Sequence, residues 1–275
     1  MTELPQDSVA PPPESPNAQG RIALFARARW LPFVLPLAVF LLLGGLEATP
    51  ATDESPEKPG GAAIGLAIPY SAYPLVYTLK IALTVAAILF VLPVYRTFPL
   101  RVSPLAVLVG AVGVVVWVGL CWLDLERQFL VPLLEPIGLG GLIAAGTRSG
   151  FNPLVELADN PAWAWAFLAI RFFGLAAVVP VAEEFFYRGF VMRFVQQANW
   201  WEVPQGKVTA AAVVLATLLP MAAHPGELLA AAAWFSLITW LYVRTRNIWD
   251  CVAAHAVTNL LLGVYVVSTG EWQLM

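Results

Sequence analysis

Long apolar runs, each closed by a polar or charged cluster, divide the chain from residue 30 onward. They fall at 30–46, 74–95, 104–123, around 163–182 with its continuation, 208–223, 228–243 and 248–268. A bilayer core takes about 20 consecutive apolar residues per helix, so the pattern predicts seven spans, and residues 129–145 would add an eighth. Helices and closed barrels are the two architectures that satisfy every backbone polar group in lipid. The strands of a barrel alternate in hydrophobicity, and runs such as LAVLVGAVGVVVWVGL, residues 105–120, do not. The predicted fold class is therefore all-α, a polytopic transmembrane helical bundle of about 7–8 spans.

The remainder of the chain adds little beyond that bundle. Residues 1–20, MTELPQDSVAPPPESPNAQG, are polar and Pro-rich with no periodic apolar face, which predicts a disordered tail. Residues 21–275 read as a single transmembrane helical domain, because no polar stretch is long enough to bury a core of its own and no internal repeat is visible. The run 30–46 exceeds the usual signal-peptide core of about 7–15 residues, so it is expected to stay as the first helix. Composition agrees: 59% of residues are hydrophobic, 12% are charged, and the mean hydropathy is +0.74. The net charge of −3 names no partner, and the absence of a basic patch argues against nucleic acid. Cys121 and Cys251 lie inside apolar runs with no CxxC or Cys/His cluster, and read as small buried hydrophobes. Arg21, Arg27 and Arg29 precede the first span, Arg96 and Arg101 follow the second, and Arg244 and Arg246 follow the sixth, whereas the loop 47–60 is mostly acidic. This alternation predicts a cytoplasmic N-terminus.

Charge within the apolar runs is the informative feature, because an ionisable side chain at bilayer depth costs at least about 2.5–3.5 kcal/mol and marks function by default. Lys80 lies near the start of its run and is expected to snorkel to the interface. Arg171 would do likewise if its helix begins near Pro161. Glu184 and Arg188 are four apart on one helical face and can pair, which leaves Glu183 about 100° round the helix. The competing reading of this stretch makes FFYRGFVMRFVQQA, residues 185–198, an interfacial amphipathic helix whose charges reach headgroups. The chain's two histidines, His224 and His255, both fall in or at the end of apolar runs, and His255 shares a helical face with Asn259.

These groups suit amide hydrolysis. A glutamate withdrawn from bulk water can act as general base toward a water molecule, and a histidine can help to hold or deprotonate that water. An imidazole and a carboxamide together can donate to a developing oxyanion. Glu183, His224 and His255 would equally make a His₂Glu zinc set with Asn259 outside it, and the spacing does not decide between the two. Neither HExxH nor GxSxG occurs. His224 lies 17 residues beyond Lys207 and His255 only eight beyond Asn247, so helices starting at those points would leave the two rings roughly 13 Å apart in depth. A common site requires that gap to close.

EEFFYR matches an EExxxR motif, LPMAAH stands where an FxxxH motif is expected, and HAVTN matches HxxxN, in that order on successive helices. With these motifs the chain resembles the CAAX prenyl protease and bacteriocin-processing (CPBP, or Abi) family of glutamic intramembrane proteases, over residues 183–259. RTRNIWDCVAAHAVTNLLLGVYVVSTGEWQLM is similar to the C-terminal region of the CAAX prenyl protease-related proteins that accompany bacterial exosortase and PEP-CTERM sorting systems. The resemblance implies a bacterial cytoplasmic membrane, a catalytic core in 163–268 and a membrane-anchored protein substrate. It also implies Glu183 and His224 as the water-activating groups, His255 and Asn259 as oxyanion donors, and Glu184 with Arg188 as a supporting pair. One departure is Pro220 in place of the motif's phenylalanine, which puts the aromatic contact to His224 in doubt. The alternative classes are a non-catalytic membrane scaffold, which should have lost one of the polar positions, and a proton-coupled transporter, which should show repeat symmetry.

Overall fold

The computed structural model describes residues 16–51, 56–138, 140 and 150–275. Most of the expected tail, residues 1–15, and residues 139 and 141–145 of the eighth run lie outside them. A first helix, α1, covers Pro16–Arg27. All seven apolar runs are helical: α2 Leu31–Gly44, α3 Tyr73–Tyr95, α4 Pro104–Leu123, α5 Pro161–Phe194, α6 Ala210–Met221, α7 Leu228–Thr245 and α8 Ile248–Thr269. Polar side chains just ahead of the apolar runs set several of the starts. Ser103, Asn160, Thr209 and Asn247 each accept a backbone N–H of the first turn of α4, α5, α6 and α8.

Five of these helices are long and apolar enough to cross a membrane, which makes the chain a multi-pass membrane protein. The other two apolar helices are shorter. With 14 and 12 residues, α2 and α6 rise only about 21 and 18 Å, short of a hydrocarbon core of about 30 Å. The described part of the eighth run breaks into a π-helical turn at Glu126–Leu130, a four-residue helix at Val131–Leu134 and a 3₁₀ turn at Glu135–Ile137.

Helix α5 is interrupted twice by π-helical segments, Gly174–Val178 and Phe185–Val191, with a short α-helical stretch, Val179–Glu184, between them. Such insertions are rare and concentrate at functional sites. The interfacial-helix reading of residues 185–198 does not hold, since Phe185, Tyr187, Arg188, Val191, Met192 and Arg193 are buried in the protein. Snorkelling fails as well. Lys80 is buried with its Nζ 2.6 Å from Glu47 Oε1, and the buried Arg171 donates to the backbone oxygens of Phe151 and Met275. Internal acceptors hold both cations where the interface was expected to.

Small residues let α4 approach its neighbours. A Cβ on Gly110 would lie 2.6 Å from the Ala254 carbonyl oxygen of α8, and one on Gly113 would lie 2.2 Å from the Trp234 ring of α7. Thr258 Oγ1 donates to the Gly110 carbonyl at 2.8 Å across the same seam. On the other side, Tyr95 of α3 stacks on Phe185 of α5 with ring centroids 3.7 Å apart, and its hydroxyl donates to the Pro32 carbonyl of α2. Segments rich in basic residues meet at one end of the bundle. There Trp249 donates to the Phe98 carbonyl, Asn247 donates to that of Arg101, Arg246 packs on Gly206, and Arg29 lies over Trp201.

Gly110→Val should push α4 and α8 apart and lower stability by about 1–3 kcal/mol, read as a reduced melting temperature of the detergent-purified protein. Gly119→Val, on the same helix with nothing within 4 Å of its added carbon, should melt close to the parent.

Candidate active site

Adjacent positions on one helix meet different surroundings when they differ by about 100° in direction. The stretch Val179–Glu184 uses this to send Glu184 into the protein and Glu183 to the wall of a cavity. Glu184 is fully buried, with Oε2 3.1 Å from Arg188 NH1 and Oε1 2.9 Å from His255 Nδ1. Arg188, also fully buried, donates onward to Thr239 Oγ1 at 3.3 Å and to the Phe235 carbonyl at 3.4 Å. One carboxylate therefore joins α5 to α8 directly and to α7 through its arginine. The Glu184–Arg188 pair follows from its i, i+4 spacing. The bond to His255 crosses 71 positions in sequence, and nothing in the spacing announces it.

His224 stands just beyond α6, where the backbone has left the helix at φ −130° and ψ 56°. Its Nδ1 is 2.9 Å from the Pro220 carbonyl. A carbonyl only accepts, so Nδ1 carries a hydrogen in that bond. Pro220 falls in the last turn of α6, one residue before its end. The aromatic contact missing from the motif comes from other helices: Trp117 of α4 lies edge-on to His224 with centroids 5.4 Å apart, and Phe235 of α7 lies 5.9 Å away.

His255 and Asn259 project from one face of α8, as their spacing predicts. Asn259 Nδ2 donates to the Leu175 carbonyl, in the first π-helical segment of α5, at 2.8 Å. That bond fixes which end of the amide faces α5 and leaves its second N–H for another acceptor.

Glu183, His224, His255 and Asn259 all line one cavity of about 480 Å³, together with Trp117 and Trp234. That volume lies within the range of about 300–1,000 Å³ typical of ligand sites. His224 and His255 line the same cavity, so the depth gap expected from level helix starts closes. Glu184 and Arg188 stand behind the wall and are not part of it. Glu47 and Lys80 line the same cavity. Their charge is visible in the sequence, but their place at the site is not, because it depends on how α2 and α3 pack. Among the described residues, no three His, Cys, Asp or Glu side chains are placed to share a metal ion.

Residues 163–261, which contain all six of these motif residues, match the family model described as type II CAAX prenyl endopeptidase Rce1-like. No curated protein and no solved structure matches the chain.

Removing Arg188 leaves a buried carboxylate with one partner fewer. Arg188→Ala is expected to cost about 3–5 kcal/mol, seen as a large drop in melting temperature. Glu184→Gln combined with Arg188→Met removes both charges and should recover part of that loss. A single variant that melts with the parent would mean the pair carries no stability.

Proposed function

We propose, from the match of residues 163–261 to the Rce1-like CAAX endopeptidase model, that the chain is a protease of this type and hydrolyses a peptide bond beside the membrane-anchored tail of a protein substrate. The observation that carries this reading is the shared cavity: four polar residues from α5, α8 and the segment after α6 border one space inside an apolar bundle. Glu183 is the general base. Its carboxylate takes a proton from a water molecule held by the Nε2 lone pair of His224, and the water oxygen bonds to the scissile carbonyl carbon. The second Asn259 N–H and His255 Nε2 donate to the oxyanion that forms. His255 can donate there only as the doubly protonated ring, because its Nδ1 hydrogen is committed to Glu184, and Glu184 is then its counter-charge. The intermediate collapses by breaking the C–N bond, and the departing nitrogen takes the proton from Glu183. The products are a carboxylate and an amine.

This is the glutamic-type reading. It is favoured over a zinc route by the lack, among the described residues, of three side chains able to share a metal. Leu41 of α2 lines the cavity and is also 56% exposed on the flank of the bundle, which suits a substrate that arrives while still anchored in lipid. The similarity to sorting-associated proteins favours exported bacterial proteins as those substrates. The basic end of the bundle favours the cytoplasmic side of the inner membrane for the start of α2.

Glu183→Gln keeps the side-chain volume but cannot take the proton. It should insert and melt like the parent while cleavage falls by at least about a hundredfold. In cells, anchored proteins should accumulate uncut when the variant replaces the parent, as read from the membrane proteome, and a chelator should leave the parent's activity unchanged. Normal processing by the variant overturns the general-base assignment.

A further inference from the structure

The mechanism leaves a charged pair on the cavity wall unused, Lys80 and Glu47. Lys80 lies within α3, its side chain 5% exposed, with Nζ 2.6 Å from Glu47 Oε1 and over the rings of Phe40 and Tyr77 at 4.3 and 4.7 Å. An ammonium this deep in a membrane helix is expensive. An apolar side chain packed in its place is often as stabilising as a buried ion pair, so a bolt between α2 and α3 does not by itself call for a lysine. Lys80 and Glu47 also face the space that Glu183, His255 and Asn259 face.

We propose that Lys80 binds the free C-terminal carboxylate of the substrate, in exchange for Glu47. The inference rests on the protease reading of the cavity. Among the described residues, Lys80 is the only lysine or arginine that lines the cavity, and the His255 ring is already paired with Glu184. The two other buried arginines nearby are committed elsewhere: Arg171 to the backbone oxygens of Phe151 and Met275, and Arg188 to Glu184, Thr239 and Phe235. An ammonium has three donors. Glu47 takes one, and aromatic faces, which attract cations without accepting a conventional hydrogen bond, cover two other sides.

Glu47 is built to leave. It lies beyond the end of α2 at Gly44, and its side chain is 20% exposed against 5% for Lys80. Swapping one carboxylate for another leaves the charge of the cavity unchanged, so substrate binding avoids the cost of adding an unpaired charge to an apolar wall. A cavity of about 480 Å³ holds a few residues and no more, as a site that reads a chain end close to the cut would require. Lys80 is then a specificity residue that fixes how far from the end the enzyme cuts.

The test is a binding measurement, independent of turnover, on the full chain carrying Glu183→Gln in detergent. The probes are two fluorescent, palmitoylated apolar peptides of one sequence, one ending in a free carboxylate and the other in an amide. The acid should bind about tenfold more tightly or better. Adding Lys80→Met should bring the acid down to the affinity of the amide and leave the amide unchanged, whereas Lys80→Arg should keep most of the preference. Glu47→Gln removes the competing carboxylate and should tighten acid binding, opposite in sign to Lys80→Met. The proposal is overturned if acid and amide bind the parent alike, if neither binds, if Lys80→Met weakens both equally, or if Glu47→Gln weakens the acid as Lys80→Met does. The last two outcomes mark a purely structural pair. A preference for the acid that depends on Lys80, found alongside normal processing in Glu183→Gln cells, would keep the carboxylate site and discard the Glu183 mechanism proposed above.

Discussion

The Glu184 carboxylate, shared between Arg188 and His255 with no access to water, is the constraint on which the site depends. A buried charge is tolerated only when its partners are in place. The three helices that supply those partners, α5, α7 and α8, must therefore meet at one depth and in one register. The pairing also fixes the His255 ring, since a histidine with one nitrogen on a carboxylate can turn only the other toward a ligand. Adjacent glutamates thus divide the work: Glu184 organises the interior, and Glu183, 100° away, faces the cavity.

The helices are shaped around that junction. The two π-helical segments of α5 flank the stretch that carries both glutamates, and the first of them offers the Leu175 carbonyl that orients Asn259. Helix α6 stops short, so His224 comes at a break in the chain. Glycines 110 and 113 bring α4 close enough for Trp117 to reach the His224 ring.

Much of this was legible from local pattern. Apolar runs gave the seven helices to within a few residues, because burial in lipid is a composition effect that a single segment records. EEFFYR and HAVTN gave the paired Glu184–Arg188 and the co-facial His255 and Asn259, because i, i+4 spacing is a property of one helix. Quantities that belong to two helices at once were not legible. The Glu184–His255 bond, the aromatic cover of His224 by Trp117 and Phe235, and the Lys80–Glu47 pair all depend on packing between segments far apart in sequence. Lys80 shows the limit well. Its position near one end of an apolar run pointed to the interface, and only the fold of α2 against α3 turns it inward.

The break after α6 has a consequence for what can enter the bundle. Residues 222–227 are not α-helical, and Ala223 and His224 face the cavity. Irregular backbone within a membrane protein is stable only where protein buries it or where it lines hydrated space. The cavity mixes apolar side chains with Glu183, His224, His255 and Asn259, so an acyl chain drifting in past Leu41 would cover polar groups without meeting their hydrogen bonds. A guest that brings amide groups of its own meets them better.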